Sequence, residues 1–534
     1  MKLTDKGLQD KTLWQQRGYT LPAFDRAAMV QETKQNPTWV HFGAGNIFRV
    51  FPAALQQNLL NEGLSKTGII VGEGFDYQII DKVYAKHDNL TLMVTLKSDG
   101  SIDKEVIASV ACAYKCDPQF EQEWKFFQDT FKKPSLQMVS LTITEKGYAL
   151  KAGNGEFFPS IAEDLKAGPE KSTMFLSKLT ALVYERYLAK AGKLALVSMD
   201  NCSHNGEKLS DAVLTIASAW EDHKLVEQGF VAYLKSDVSF PWSMIDKITP
   251  RPDAKVEEML KSDGFEDTSL IITDKNTYTA SFVNAEKSQY LVIEDQFPNG
   301  KPALEKAGVY FTDRDTVNNV ERMKVTTCLN PLHTALAIYG CLLGHTLISE
   351  EMQDPELKRL VEVIGYEEGM PVVVNPKILD PKAFIDEVLQ VRFPNPFMPD
   401  TPQRIATDTS QKLAIRFGET VKAYLEDEKL DVKNLRLIPL VYAGWLRYLM
   451  GLDDELAAFT PSPDPRLSEV QNYLKDIKIG QKGPFEALKP LLKDKTIFAV
   501  DLYEAGLSDL VLKYFEELIQ GPGSVRNTLK KYVH

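Results

Sequence analysis

Apolar residues follow two rhythms along the first 200 or so positions. Short β-branched and aromatic runs at 38–43 (TWVHFG), 67–72 (TGIIVG), 90–96 (LTLMVTL), 137–143 (QMVSLTI) and 193–199 (KLALVSM) read as strands. Between them, stretches such as 47–62 and 174–190 repeat their apolar positions at three and four, as helices do. Strands alternating with helices predict a mostly parallel sheet covered by helices on both faces. After about residue 310 strand-like runs become rare. Helical periodicity then dominates at 331–349, 354–364, 381–391, 411–426, 435–451, 466–476, 484–493 and 502–519. The pattern predicts an α/β domain over 1–310 followed by a mainly α-helical domain over 311–534, with the active site expected in the cleft between them.

Charge narrows the possible partners. The 62 Lys and Arg stand against 74 Asp and Glu, a formal charge of −12, and no long basic run breaks that balance. Such a chain lacks the basic face that nucleic-acid binding needs. The five cysteines form no C-x-x-C pair and no metal-ligand spacing, so neither a disulfide framework nor a metal site is expected. A reducing, cytoplasmic setting fits best, because no apolar secretory segment opens the chain. The apolar stretches near 325–344 and 435–452 are interrupted by Asn330 and His333, and by Arg436 and Arg447, so no membrane span is expected.

Residues 38–49 run T-W-V-H-F-G-A-G-N-I-F-R, a strand leading into Gly43-Ala44-Gly45 and a helix. Gly43 permits a tight turn, and Gly45 lets a pyrophosphate approach backbone amides at the helix start, where Asn46 and Ile47 follow. Phe48 stands where the third glycine of the usual fingerprint falls. The next strand ends at Glu73, with Asp76 close behind. An acid there accepts from a ribose 2′-hydroxyl and repels a 2′-phosphate, which favours NAD over NADP. This reading makes the first domain Rossmann-type. A glycine turn without a ligand is the plainer alternative.

Three later segments gather polar groups that a core would not tolerate unpaired: Ser198 to Gly206, Glu321 to His333, and Asp400 to Lys412. Together with GAGNIFR, SLTITEKGY at 140–148 and FPWSMIDKITP at 240–250, they occur in an order that resembles the polyol-specific long-chain dehydrogenases over nearly the whole chain. The resemblance implies metal-independent hydride transfer between NAD(H) and a sugar acid or polyol, with lysine carrying the proton. Reduction of a keto-hexuronate (fructuronate to mannonate) is the favoured reaction; mannitol/fructose or tagaturonate chemistry is the alternative. A catalytically inactive NAD(H)-binding regulator is the reading outside this class.

By the same resemblance, Lys324 is the general acid/base, Asn201 and Asn330 bind the developing oxyanion, His333 orients substrate or lysine, and Glu321 lies on the proton path. Arg404 and Lys412 grip one end of the substrate, with Asp246 a further contact. A basic pair suits a carboxylate. Plainer readings stand beside these: Asn330 followed by Pro331 also reads as a helix cap, and Arg404 also reads as the partner of Asp400 or Asp408. The family spacing places Asn five and His eight residues after the lysine; here they stand six and nine after it, so one extra residue must be absorbed before the helix.

Overall fold

The computed structural model describes all 534 residues. They fall into two compact units, one of Met1–Lys97 with Ser101–Asn318 and one of Asn319–His534 with Ser98–Gly100.

The first unit is built on a six-stranded sheet whose order is Val110–Lys115, Ile69–Glu73, Trp39–Phe42, Met138–Leu141, Leu194–Ser198, Val238–Ser239. Every neighbouring pair is parallel. Counted along the chain, this is the order 3-2-1-4-5-6, the doubly wound arrangement in which ligands bind where the strand order reverses. Successive side chains leave a strand on opposite faces. Val40, Phe42, Val139, Leu141, Leu194 and Leu196 therefore enter one core, while Trp39, Met138, Ala195 and Val197 enter the other. The three central strands are buried at every position, which explains why their sequences read as continuous apolar runs.

One expected strand lies elsewhere. Thr91–Leu96 pairs antiparallel with Ile102–Ile107, across a turn containing Asp99-Gly100, in a separate four-stranded sheet completed by Tyr19–Thr20 and Phe282–Glu286. The parallel sheet takes Val110–Lys115 instead, a small and partly polar run that carries little strand signal. A three-stranded sheet of Ser243–Asp246, Tyr290–Glu294 and Tyr310–Thr312 completes this picture with a two-stranded one, Ile271–Ile272 with Tyr278–Thr279.

The second unit is helical. Its centre is the pair Asn330–Leu342 and Leu437–Leu449, joined by the Tyr339 hydroxyl, which donates to the Leu440 carbonyl at 2.7 Å. Gly444 makes this approach possible, since a Cβ there would lie 2.6 Å from the Tyr339 ring. No helix of the protein is long and apolar enough to cross a membrane. Four helical runs in this unit widen into π turns, at Lys324–Cys328, Val363–Gly369, Val388–Arg392 and Ala414–Gly418. A π turn holds one residue more than an α turn and leaves the following residues rotated about the axis.

At the end of the parallel sheet away from the glycine loop, Arg186 is fully buried and donates to six backbone carbonyls, those of Phe131, Lys133, Leu136, Ala191, Gly192 and Lys193. Replacing Arg186→Met strands those acceptors, so the variant should lose about 3 kcal/mol or more of stability. Urea unfolding of the two proteins measures the difference, and a change below about 1 kcal/mol contradicts it.

Candidate active site

The glycine loop sits where the strand order reverses, between Trp39–Phe42 and Met138–Leu141. Gly43 has φ +105°, and a Cβ there would meet the Thr142 carbonyl oxygen at 2.1 Å, so only glycine fits. Gly45 differs: a Cβ on it would meet nothing within 4 Å. That open ground beside the first amides of the helix Asn46–Val50 suits a pyrophosphate. The Asn46 side chain faces inward, bonding the Tyr278 carbonyl and the Thr279 hydroxyl. Ile47 is half-buried against the second core.

The two acids expected at the ribose are engaged within the protein. Glu73 is buried and accepts from the backbone amides of Ala44 (2.8 Å), Phe75 (2.8 Å) and Asp76 (3.0 Å), which ties the glycine loop to the next turn. Burial pushes its carboxyl up, and those three donors pull it back. Asp76, also buried, accepts from the hydroxyls of Thr273 and Thr277 at 2.5 and 2.6 Å. Glu73 therefore fastens the glycine loop and Asp76 fastens the turn at Thr273 and Thr277, roles that strand-end position alone does not disclose.

The segments SLTITEKGY and SMDNCSHNG fold onto each other. The buried Asp200 carboxylate accepts from the Ile143 and Thr144 amides (2.9 and 2.8 Å) and from the Tyr148 hydroxyl at 2.6 Å; burial raises its carboxyl despite these donors. Asn205 bonds the carbonyls of Asp200 and Ser243 and accepts from the Ser243 amide, each at 3.0 Å. Between these anchors, Asn201 is exposed on the turn that leads into the helix Asn205–Asp222. The same motif serves the glycine loop: Ser140 and Thr142 hold the two ring nitrogens of His41 (2.6 and 3.0 Å), which stacks on Phe48. Burial lowers His41 to about 3, so the ring is neutral. Asp246 is buried at the end of its strand, opposite Tyr290.

In the helical unit, Lys324 is buried and opens the first π turn, directly after Arg314–Met323, the helix that carries the half-buried Glu321. The turn closes with the Leu329 amide bonded to the Lys324 carbonyl at 3.1 Å, and the helix Asn330–Leu342 begins. The cap position belongs to Leu329, and the Asn330 side chain makes no capping bond. Its amide is thus available to a ligand, against the plainer cap reading. Cys328 beside it is buried with its thiol pushed up to about 12, which makes it a poor nucleophile.

His333, on the first turn of this helix, lies against Phe393 with its Nε2 3.6 Å from the Asp400 Oδ2. That distance exceeds a hydrogen bond, and Nε2 is buried without a hydrogen-bond partner. Burial lowers the ring to about 4; Asp400 opposes the shift, and Arg416, Arg404 and Arg392 reinforce it. Arg404 is largely exposed and donates through Nη2 to the Asp400 Oδ1, so of its two sequence-level readings the pairing with Asp400 is the one observed. Lys412 turns back to donate to the carbonyls of Ile405 and Thr407. Arg416, which the sequence did not single out, donates to the Thr334 hydroxyl beside His333. No three His, Cys, Asp or Glu side chains in the chain are grouped to hold a metal ion.

Two outcomes follow from this geometry. Gly43→Ala should cost about 1–3 kcal/mol and abolish NADH binding, whereas Gly45→Ala should melt as wild type does yet bind NADH at least about tenfold more weakly, since it intrudes only on a bound pyrophosphate. Melting curves and fluorescence titration separate the two, and wild-type NADH affinity in Gly45→Ala would place the coenzyme elsewhere. For His333, the unfolded ring takes a proton near pH 6.5 and the folded ring only near 4. Its contribution to stability is therefore intact above pH 6.5 and declines as pH falls toward 4, by about 3 kcal/mol in all. His333→Gln should lack that part of the slope; parallel stability–pH curves for the two proteins would refute the assignment.

Comparison with known proteins bears on the whole chain. The mannitol dehydrogenase Rossmann domain matches residues 37–306, and the mannitol dehydrogenase C-terminal domain matches residues 316–519. A D-mannonate oxidoreductase of Thermotoga maritima is 52% identical over 100% of this chain and 99% of its own length. The D-mannonate oxidoreductase of Escherichia coli K12 is 30% identical, covering 87% of this chain and 89% of that one. Among solved structures, the Pseudomonas fluorescens mannitol 2-dehydrogenase ternary complex with NAD and D-mannitol aligns over 99% of both chains, with 26% identity and a TM-score of 0.69. With both of its domains matched, and a glycine loop at the reversal point of a 3-2-1-4-5-6 sheet, the chain belongs to the mannitol dehydrogenase family of oxidoreductases.

Proposed function

We propose that the protein uses NAD(H) to interconvert a keto-hexuronate and a hexonate, fructuronate and mannonate being the pair it serves, in a reducing cytoplasmic setting. The observation that carries the reading is a buried lysine, Lys324, on a π turn that runs into Asn330, with its uncapped amide, and the neutral His333. The full-length 52% identity to a D-mannonate oxidoreductase supports the sugar-acid substrate over a neutral polyol.

Gly43, Gly45 and the amides that follow would hold the dinucleotide, which when bound would supply a hydride to the carbonyl carbon. The protein's own task is at the oxygen. As the C=O pair moves onto that oxygen, the amide N–H groups of Asn330 and Asn201 stabilise it, and Lys324 Nζ–H gives it a proton. Glu321 returns a proton to the amine from solvent, and in the oxidative direction the neutral amine takes the hydroxyl proton back. His333, held uncharged by burial, orients the substrate without adding a second acid. Asp246 contacts a substrate hydroxyl. A lysine amine in this role performs the polarisation that a Lewis acid supplies in other alcohol oxidoreductases.

Steady-state oxidation of NADH with fructuronate, tagaturonate and fructose tests the substrate, and repetition with NADPH tests the coenzyme. Fructuronate with NADH should give the highest kcat/KM; a higher value with fructose overturns the sugar-acid reading. Lys324→Ala should lose about 10²–10⁴-fold in kcat while still quenching NADH fluorescence on binding. A loss under tenfold removes the lysine from the proton step.

A further inference from the structure

Two partly exposed cations four residues apart in the helical unit, Lys412 and Arg416, form no ion pair. Lys412 gives its ammonium only to the backbone carbonyls of Ile405 and Thr407, and Arg416 gives its guanidinium to the Thr334 hydroxyl. Arg404, which the sequence pattern made the natural partner of Lys412, is instead committed to Asp400. Burial lowers the Arg416 guanidinium to about 10 with no acid offsetting it, and it lowers Lys412 as well, helped by Arg416 nearby. The acids that face Lys412 are Asp408 and Asp464, but the Asp464 carboxylate is spent on the Ser410 amide and hydroxyl and on the Arg466 amide.

Buried Arg186 fills its guanidinium with six carbonyls, whereas Arg416 stays partly open and spends a single N–H on the protein, so its remaining donors can receive an anion. A second, independent feature opens onto the same ground. The Nε2 of His333, one residue before Thr334, is buried and has no hydrogen-bond partner. Thr334 itself donates to the Asn330 carbonyl at 2.9 Å, so a guanidinium resting on Thr334 stands one helical turn from the Asn330 amide.

We propose that Arg416, together with Lys412, grips the terminal carboxylate of the substrate and so selects sugar acids over neutral polyols, while Arg404 positions Asp400 beside His333. The proposal rests on the keto-hexuronate reading above and deepens it. It assigns the specificity to Arg416, which lies outside the Arg404/Lys412 pair that the sequence pattern brings forward.

The test compares wild type, Arg416→Gln and Arg416→Lys with fructuronate and fructose at saturating NADH. In Arg416→Gln, kcat/KM for fructuronate should fall about 100-fold, chiefly through KM, as when one member of a buried charge pair is truncated. The value for fructose should stay within about threefold, and Arg416→Lys should recover at least about a tenth of the fructuronate activity by restoring a point charge. Mannonate should raise the melting temperature of the wild-type NAD complex and leave that of Arg416→Gln unmoved. NADH fluorescence and circular dichroism verify that the variants fold, and Arg416→Lys carries the comparison if Arg416→Gln does not. Retention of fructuronate kcat/KM within threefold in Arg416→Gln, or an equal loss on both substrates, overturns the role of Arg416. A wild-type enzyme that prefers fructose overturns the substrate reading itself, so the two failures are distinguishable.

Discussion

A positive charge drawn out of water is stabilised by an anion or by spending its N–H donors on protein oxygens, and the cations around His333 differ in which of the two they have. Asp400 pairs with the largely exposed Arg404 and leaves His333 at 3.6 Å, close enough to feel the carboxylate and too far to share a proton with it. Lys412 and Arg416 are left with carbonyl and hydroxyl oxygens. The chain as a whole is acidic, at −12, so this positive ground is a local feature held against the global field.

The same region depends on a particular helical defect. Lys324–Cys328 and Ala414–Gly418 are both π turns, and they pack against each other. The first begins with Lys324 and the second carries Arg416. Each inserts a residue into a helix without breaking it, which turns the side chains beyond by roughly 100° relative to an unbroken α-helix. The longer spacing from Lys324 to Asn330 and His333 is the amount one π turn accommodates. Pro331 then secures the new helix start, because its missing amide leaves no donor to satisfy there.

What the sequence disclosed, and what it hid, follows from where each requirement resides. Gly43 was legible because its constraint is local: a positive φ and a carbonyl 2.1 Å from any added Cβ admit one residue type. The central strands were legible because burial on both faces makes them continuously apolar. Thr91–Leu96 has a strand sequence as good as theirs, but its pairing is set by the hairpin turn after it, which periodicity does not weigh. Val110–Lys115 went unnoticed because edge position relaxes its composition. In the site, residue identities were legible and their pairings were not. Glu73 and Asp76 were visible as acids, yet their commitment to amides and threonines, Thr273 and Thr277 being about 200 positions distant, exists only in three dimensions. Arg416 carries no motif at all; its distinction is that it stays partly open with one hydrogen bond and no ion pair, which no linear pattern records.

On the proposed reading, the two recognition tasks are met by different parts of the chemistry. The dinucleotide loop works through backbone geometry: glycines at 43 and 45, and amides fixed by the Glu73 carboxylate. Backbone recognition is indifferent to most side-chain changes and holds a pyrophosphate whatever the second substrate is. Substrate choice would instead rest on long cationic side chains of the helical unit, where a single replacement changes the charge offered to the ligand. Selectivity would then lie with the charge met by the substrate's far end, because a buried polar site rejects the ligand that leaves it unpaired far more strongly than an apolar one rejects a misfit.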